Sequence, residues 1–299
     1  MMCTLKRVFI IILACLISLI TGCTSSNTYR YADNFDEKSY QIEYLEPESA
    51  EAIFNIEYDS ILEDCKSMIL ATDLKAKFPY LNWNNLENVE IRRCNGHLID
   101  GQVQNIGIDA RYHQPLNMVY VYPACDQYDA DYVKTIVIHE LIHCITYSEA
   151  VCTNQLWEGL ADLYTMKICR EFDLPFKLQY QMEFLSLTFF NNVFGEEAVV
   201  EMLYNGTLDS EIDRHTKPGM AAKFNCATSI AGHYYEMYGA YDVAYFELIK
   251  VIQDIQCHVA ISACADMSED TRKKVYEKCK TTLIYDQYID ESYFRKLLE

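Results

Sequence analysis

The sequence is short of positive charge. Its 299 residues hold 25 Lys+Arg against 44 Asp+Glu, a formal net charge of −19. A chain this acidic repels polyphosphates at long range, which argues against nucleic acid as a partner class. The acidic groups are scattered rather than blocked, the pattern of a solvated surface. There is no low-complexity tract and no repeat of fixed period, which excludes fibrous and solenoid architectures. No cysteine pair has the C-x-x-C spacing, so a thiolate zinc knuckle is not indicated. An apolar run at residues 8–20 falls short of the ~20 residues of a comfortable membrane span. What remains is a globular balance, 51% hydrophobic and 23% charged. The chain is long enough to bury a sizeable core in one large domain or two tightly joined ones.

The N-terminus carries a compartment signal. Lys6 and Arg7 precede the apolar run, and Ile20-Thr21-Gly22-Cys23 follows it. This is the layout of an export signal that is removed from the mature protein. Its last four residues resemble a bacterial lipobox, in which cleavage before Cys23 is coupled to lipid attachment on its sulfur. The expected organisation is a lipoprotein signal peptide at 1–22, a lipidated Cys with a polar, flexible tether at 23–40, and a folded region at 41–299. The expected location is extracytoplasmic, in a bacterial cell envelope, with acyl chains rather than charge attraction holding the protein to a membrane. Ten cysteines follow Cys23: Cys65, Cys94, Cys125, Cys144, Cys152, Cys169, Cys226, Cys257, Cys264 and Cys279. An even number in an exported chain suggests two or more disulfide bonds. The alternative is that several are small buried hydrophobes.

The folded region reads as α+β, a small antiparallel sheet followed by a mainly helical half, with 41–125 as the mixed part and 126–299 as the helical part. Apolar residues at helical spacing mark 51–78. Val89-Glu90-Ile91 and Met118-Val119-Tyr120-Val121-Tyr122 are β-branched and aromatic runs, punctuated by Asn95-Gly96 and Pro115. From Tyr132 onward the pattern predicts helices over 132–147, 153–170, 174–194, 196–204, 221–238, 240–256, 271–280 and 291–298. Asp129 or Asp131 is the expected N-cap of the first of these.

That helix contains Ile138-His139-Glu140-Leu141-Ile142-His143. Residues at i and i+4 share a helix face, so both imidazoles can point at one ion. Glu140 is turned towards a water on that ion. Zinc lowers the pKa of such a water to about 7, and a carboxylate beside it can take the proton as a carbonyl is attacked. Ile136, Val137, Ile138, Leu141, Ile142 and Ile145 surround the motif, as a helix buried to hold ligands rigidly requires. A catalytic zinc needs a third protein ligand and an open fourth position. The segment Leu156-Trp157-Glu158-Gly159-Leu160-Ala161-Asp162 offers Glu158 and Asp162 at i and i+4. Glu158 can ligate the ion, and Asp162 can accept the second ring N–H of a zinc-bound His. The alternative, a charged face on a surface helix, conflicts with their apolar neighbours. Gly159 and Ala161 are small enough for this helix to approach the first closely.

These two segments together resemble the gluzincin metallopeptidases, the superfamily of thermolysin, over about residues 117–170. The resemblance implies one zinc ion per chain with His139, His143 and Glu158 as ligands, Glu140 as general base, and Asp162 supporting His139. It also implies hydrolysis of a peptide or protein substrate. Three features depart from the pattern: Trp157 stands where Asn often precedes the Glu, the gap between the two motifs is short, and no G-x-M-E-N segment marks an exopeptidase site. Residues 118–122 are similar to an edge strand that pairs with extended substrate in these enzymes; an ordinary sheet strand is the alternative. Ser229–Gly239 resembles a late helix ending in Tyr-Gly, from which His233, Tyr234 or Tyr235 would stabilise an oxyanion. His97, His113, His215 and His258 have no partner spacing and read as surface or satisfied core histidines. The rival to an active peptidase is a non-catalytic lipoprotein binding module on a gluzincin scaffold.

Overall fold

The computed structural model describes residues 40–44, 58–99, 102–104, 109–148, 156–238, 243–280, 282 and 294–298. They form two compact units, one built on Phe35–Cys152 and Leu156–Leu208, the other on Asp209–Glu299. The expected signal peptide, Cys23 and the expected tether as far as residue 39 lie outside the described residues, whereas Tyr40, placed in the tether, begins the first strand. Among the described residues, no helix is long and apolar enough to cross a membrane.

The first unit joins a five-stranded sheet to a stack of helices, which bears out the α+β expectation. Its strands are β1 (Tyr40–Tyr44), β2 (Glu90–Ile99), β3 (Gln102–Gln104), β4 (Ala110–His113) and β5 (Met118–Val121). The order is β1-β2-β5-β4, with β3 also paired to β2. The sheet is mixed rather than wholly antiparallel, because β2 and β5 run parallel, with Ile91 opposite Val119. All four residues of β5 are buried. A strand covered on both faces reads as an unbroken apolar run, which is what Met118–Val121 is. Cys94, Met118, Tyr120 and Tyr122 form one core cluster on it. β5 therefore lies inside the sheet. The outer strand beyond it is β4, paired antiparallel with Tyr112 opposite Val119.

The helices of this unit are α1 (Tyr58–Ala71), α2 (Leu74–Lys77), α3 (Trp83–Asn88), α4 (Ala130–Thr146), α5 (Leu156–Glu171), α6 (Gln181–Phe194) and α7 (Glu196–Tyr204). α4 packs on α1, α3, α5 and the β4–β5 pair. It is apolar on nearly every side, so it occupies the centre. The Asp129 side chain accepts the Tyr132 N–H at 2.8 Å and so caps its first turn. Its last carbonyls are satisfied from the entry to α3: Asn82 N–H donates to Ile145 O at 2.9 Å, and the Asn82 amide donates to Tyr147 O. Arg93 of β2 grips Asp126 with two N–H groups, fixing the turn that leads into α4. The expected helix over 174–194 begins only at Gln181; Asp173 takes a left-handed φ of 55° after α5, and Pro175 disfavours helical backbone at Leu174.

The second unit contains α8 (Leu208–His215, which starts at the boundary), α9 (Met220–Tyr238), α10 (Val243–Ala263) and α11 (Glu269–Lys280). α9 packs on α10, and Tyr276 of α11 stacks on Phe294 at 4.9 Å. Of the expected helix at 291–298, the described part is a 3₁₀ turn over Arg295–Leu297.

Cys65, Cys94, Cys125, Cys144, Cys169, Cys257 and Cys264 are buried thiols without a bridge. The disulfide expectation is therefore not met at these positions. Each acts as a small core residue, and burial pushes the Cys94, Cys144 and Cys257 thiols up to about 12. Cys152 lies outside the described residues.

Candidate metal centre

α4 and α5 bring His139, His143 and Glu158 together in the first unit. Nε2 of His139 and Nε2 of His143 are 3.2 Å apart. Glu158 Oε2 is 3.3 Å from the first and 3.1 Å from the second. These three atoms form a nearly equilateral triangle. For bonds of about 2.0–2.1 Å, a tetrahedral ion places its ligand atoms roughly 3.3 Å apart, so the triangle has the edge length of one face of such a site. The group can bind a metal ion.

The roles of the ring nitrogens follow from the surroundings of His139. Its Nδ1 lies 3.1 Å from Asp162 Oδ1, and the Asp162 side chain is 1% exposed. The other oxygen of Asp162 accepts the backbone N–H groups of Gln179 and Tyr180 at 3.1 and 2.8 Å. With Nδ1–H donating to the Asp162 carboxylate, the Nε2 of His139 presents its lone pair to the ligand triangle. Without an ion the cluster must balance its own charge. Burial alone would lower the basicity of His139, but its bonds to Asp162 and Glu158 outweigh this and raise its pKa to about 10. Burial alone would raise Glu158, but His143 and His139 outweigh it and hold the carboxyl well below the usual range.

Glu140 is not one of the three residues of the triangle. Its Oε2 accepts the Tyr112 backbone N–H at 2.6 Å. Tyr112 is in the middle of β4 and pairs with Val119 on the other side. One carboxylate oxygen is thus tied to the outer strand.

Gly159 has a different role from the one its size suggested. A Cβ there would lie 2.4 Å from the backbone carbon and oxygen of Glu183. Its small size admits α6, not α4. Of the two readings of residues 118–122, the ordinary sheet strand holds: the outer strand beside Glu140 is β4, while residues 118–121 form an interior strand. Sequence reasoning missed β4. The signal available was the continuous apolar character of Met118–Val121, which marks a strand flanked on both sides. Tyr180 was missed as well; its ring stacks on His139 with centroids 5.7 Å apart and planes 23° apart.

His233, Tyr234 and Tyr235 lie on α9 of the second unit, and their side chains are outside the described ones. His113 packs on Tyr120 at 5.9 Å, and His258 Nδ1 donates to Asp254 O at 2.6 Å. His215 Nδ1 is 3.1 Å from Ser262 Oγ, and its Nε2 is 3.0 Å from Arg214 Nη2. A guanidinium only donates, so that Nε2 accepts and Nδ1 carries the proton towards Ser262. The serine is therefore not activated by this histidine. Comparison with family models, with curated proteins and with solved structures finds no match for this chain.

Proposed function

We propose that this protein is a zinc-dependent peptidase of the gluzincin type, with His139, His143 and Glu158 as ligands and Glu140 as general base. The observation that supports it most is the ligand triangle, with a carboxylate next to it that is not itself a ligand. A closed structural site would have no use for that neighbouring base. Two imidazoles and one carboxylate form a donor set suited to zinc.

Zinc held there supplies Lewis acidity and lowers the pKa of a water to about 7. The rest falls to the chain. Glu140 accepts a proton from the attacking water and returns it to the departing amine. The Tyr112 N–H keeps its carboxylate in place between these transfers. Asp162 holds the His139 ring in the ligating tautomer. β4, as the outermost strand beside Glu140, offers an edge along which extended peptide can lie. From residues 6–23 we place the protein outside the cytoplasm, lipid-anchored through Cys23 to a membrane of a bacterial envelope. Peptide or protein is then the substrate class, and the long-range charge disfavours nucleic acid.

The test is cleavage of a fluorogenic peptide library by the full chain, with and without chelator, beside Glu140→Gln. The expected result is turnover that chelator removes and zinc restores. If the zinc-loaded parent cleaves no peptide, the binding-module reading takes its place. The ion pairing of His139 and Glu158 would then serve to join α4 and α5.

A further inference from the structure

The segment between α5 and α6 is fastened at several points. Asp173 reverses the chain out of α5 with its left-handed φ. The Thr135 hydroxyl of α4 donates to Pro175 O at 2.5 Å. Gln179 and Tyr180 then give both of their backbone N–H groups to one oxygen of Asp162. Immediately beyond, the half-buried Tyr180 ring lies nearly parallel to the His139 imidazole. Asp162 thus has two sets of partners on one buried carboxylate, the metal-facing histidine on Oδ1 and the strap on Oδ2.

We infer that Tyr180 is a positioning residue for the metal, and that the segment from Asp173 to Tyr180 is a strap whose order is coupled to metal binding through Asp162 and His139. This rests on reading His139, His143 and Glu158 as metal ligands. An imidazole on a rigid helix still turns about its own side-chain bonds. Asp162 fixes the ring through one nitrogen, and the Tyr180 face blocks rotation about that contact. The strap in turn is held by a carboxylate whose orientation depends on the ring. An ion that locks His139 therefore locks Asp162, and with it the Gln179 and Tyr180 amides. Coupling of this kind is reciprocal: the factor by which the ion favours the ordered strap is the factor by which the ordered strap strengthens ion binding. Groups that hold a metal-bound histidine typically change affinity by about 10–100-fold. The same factor should then appear as slower exchange of the strap amides, because exchange through fast local opening follows the opening equilibrium.

The experiment uses the full chain in detergent, with Zn2+ alone as the probe. Zinc affinity is measured by competition with a chromophoric chelator. Hydrogen exchange of the peptide covering residues 173–184 is followed with and without Zn2+. In the parent, Zn2+ should slow exchange at Gln179 and Tyr180 by about tenfold or more. Tyr180→Leu should weaken Zn2+ binding by about 10–100-fold and shrink that slowing. Tyr180→Phe keeps the ring and should restore both, a rescue that loss of fold would not show. Asp162→Asn should uncouple the strap even where Zn2+ still binds. If the parent binds Zn2+ but exchange at 179–180 ignores it, or if Tyr180→Leu binds as the parent does, the coupling is refuted while the metal site stands. If the parent itself binds no Zn2+, the metal reading fails and the inference fails with it. The affinity arm alone tells these two cases apart.

Discussion

Gly159→Ala is a small change with a large expected effect. By helix propensity alone the substitution is favourable, worth roughly 1 kcal/mol in a helix interior. The structure argues the opposite. The new Cβ would meet Glu183 C and O at 2.4 Å and Phe184 N at 2.7 Å, all backbone atoms that cannot rotate away. Ordinary contact begins at 3.4 Å, so the first turn of α6 would have to retreat by about 1 Å. That turn is tied to Asp162 through the Gln179 and Tyr180 amides at 3.1 and 2.8 Å, and a shift of this size takes both beyond hydrogen-bond length. Overpacking costs about 1–3 kcal/mol, and each lost bond to a charged acceptor costs about 1.5–3 kcal/mol. Set against the propensity gain of about 1 kcal/mol, the overpacking and the two lost bonds together give an expected net loss of about 3–8 kcal/mol. Urea denaturation of the metal-free chain reads it as a lower midpoint at unchanged slope. Zinc affinity should fall as well, since Glu158 is the neighbouring residue. A variant as stable as the parent, or more stable, would refute the claim that Gly159 is required by the approach of α6.

Three further outcomes are expected. Glu140→Gln should keep zinc bound but lose about 10²–10⁴-fold in peptide turnover, because it removes the proton acceptor and not a ligand. Unchanged turnover would exclude the mechanism. Glu196 joins α7 to α2 and α5 through Lys77 at 2.8 Å, Tyr164 at 2.8 Å and Lys167. Burial alone would raise its pKa, but these bonds hold it down at about 2. A carboxylate depressed in this way stabilises the fold above its unfolded pKa of about 4.3 and loses that contribution as pH falls towards 2. Glu196→Gln should therefore cost about 1–3 kcal/mol at neutral pH, and denaturation midpoints of parent and variant should converge near pH 2. A gap that persists in acid would show that packing, not charge, is the cause. Cys23→Ser should leave the precursor unprocessed or release the protein from the membrane fraction; unchanged size and unchanged membrane association would rule out the lipid anchor.

Much of the site was legible because helix periodicity places side chains without tertiary information. His139, His143, Glu158 and Asp162 each follow from an i, i+4 spacing, and all four meet in the folded unit. The α4 and α5 boundaries lie close to those expected, since apolar residues fill both helices. What was not legible depends on contacts distant in sequence. Residues 174–180 read as helical by their apolar residues, yet they form an irregular segment tied down by Asp162 and Thr135. Polar α8, Leu-Asp-Ser-Glu-Ile-Asp-Arg-His, carries too few apolar residues to mark itself. The parallel pairing of β2 with β5 cannot be read locally either, and it decides which strand is outermost. The partner of Gly159 was misassigned for the same reason: a small residue signals a close approach but not what approaches.

Everything proposed for this site depends on His139, His143 and Glu158 holding one zinc ion. The most direct measurement is the zinc content of the purified full chain by elemental mass spectrometry, beside His143→Ala and Glu158→Ala. About one zinc per chain is expected in the parent and little in either variant, because two remaining ligands do not make a closed tetrahedral hold. Stoichiometric zinc retained in both variants, or none in a zinc-supplemented parent, would contradict it.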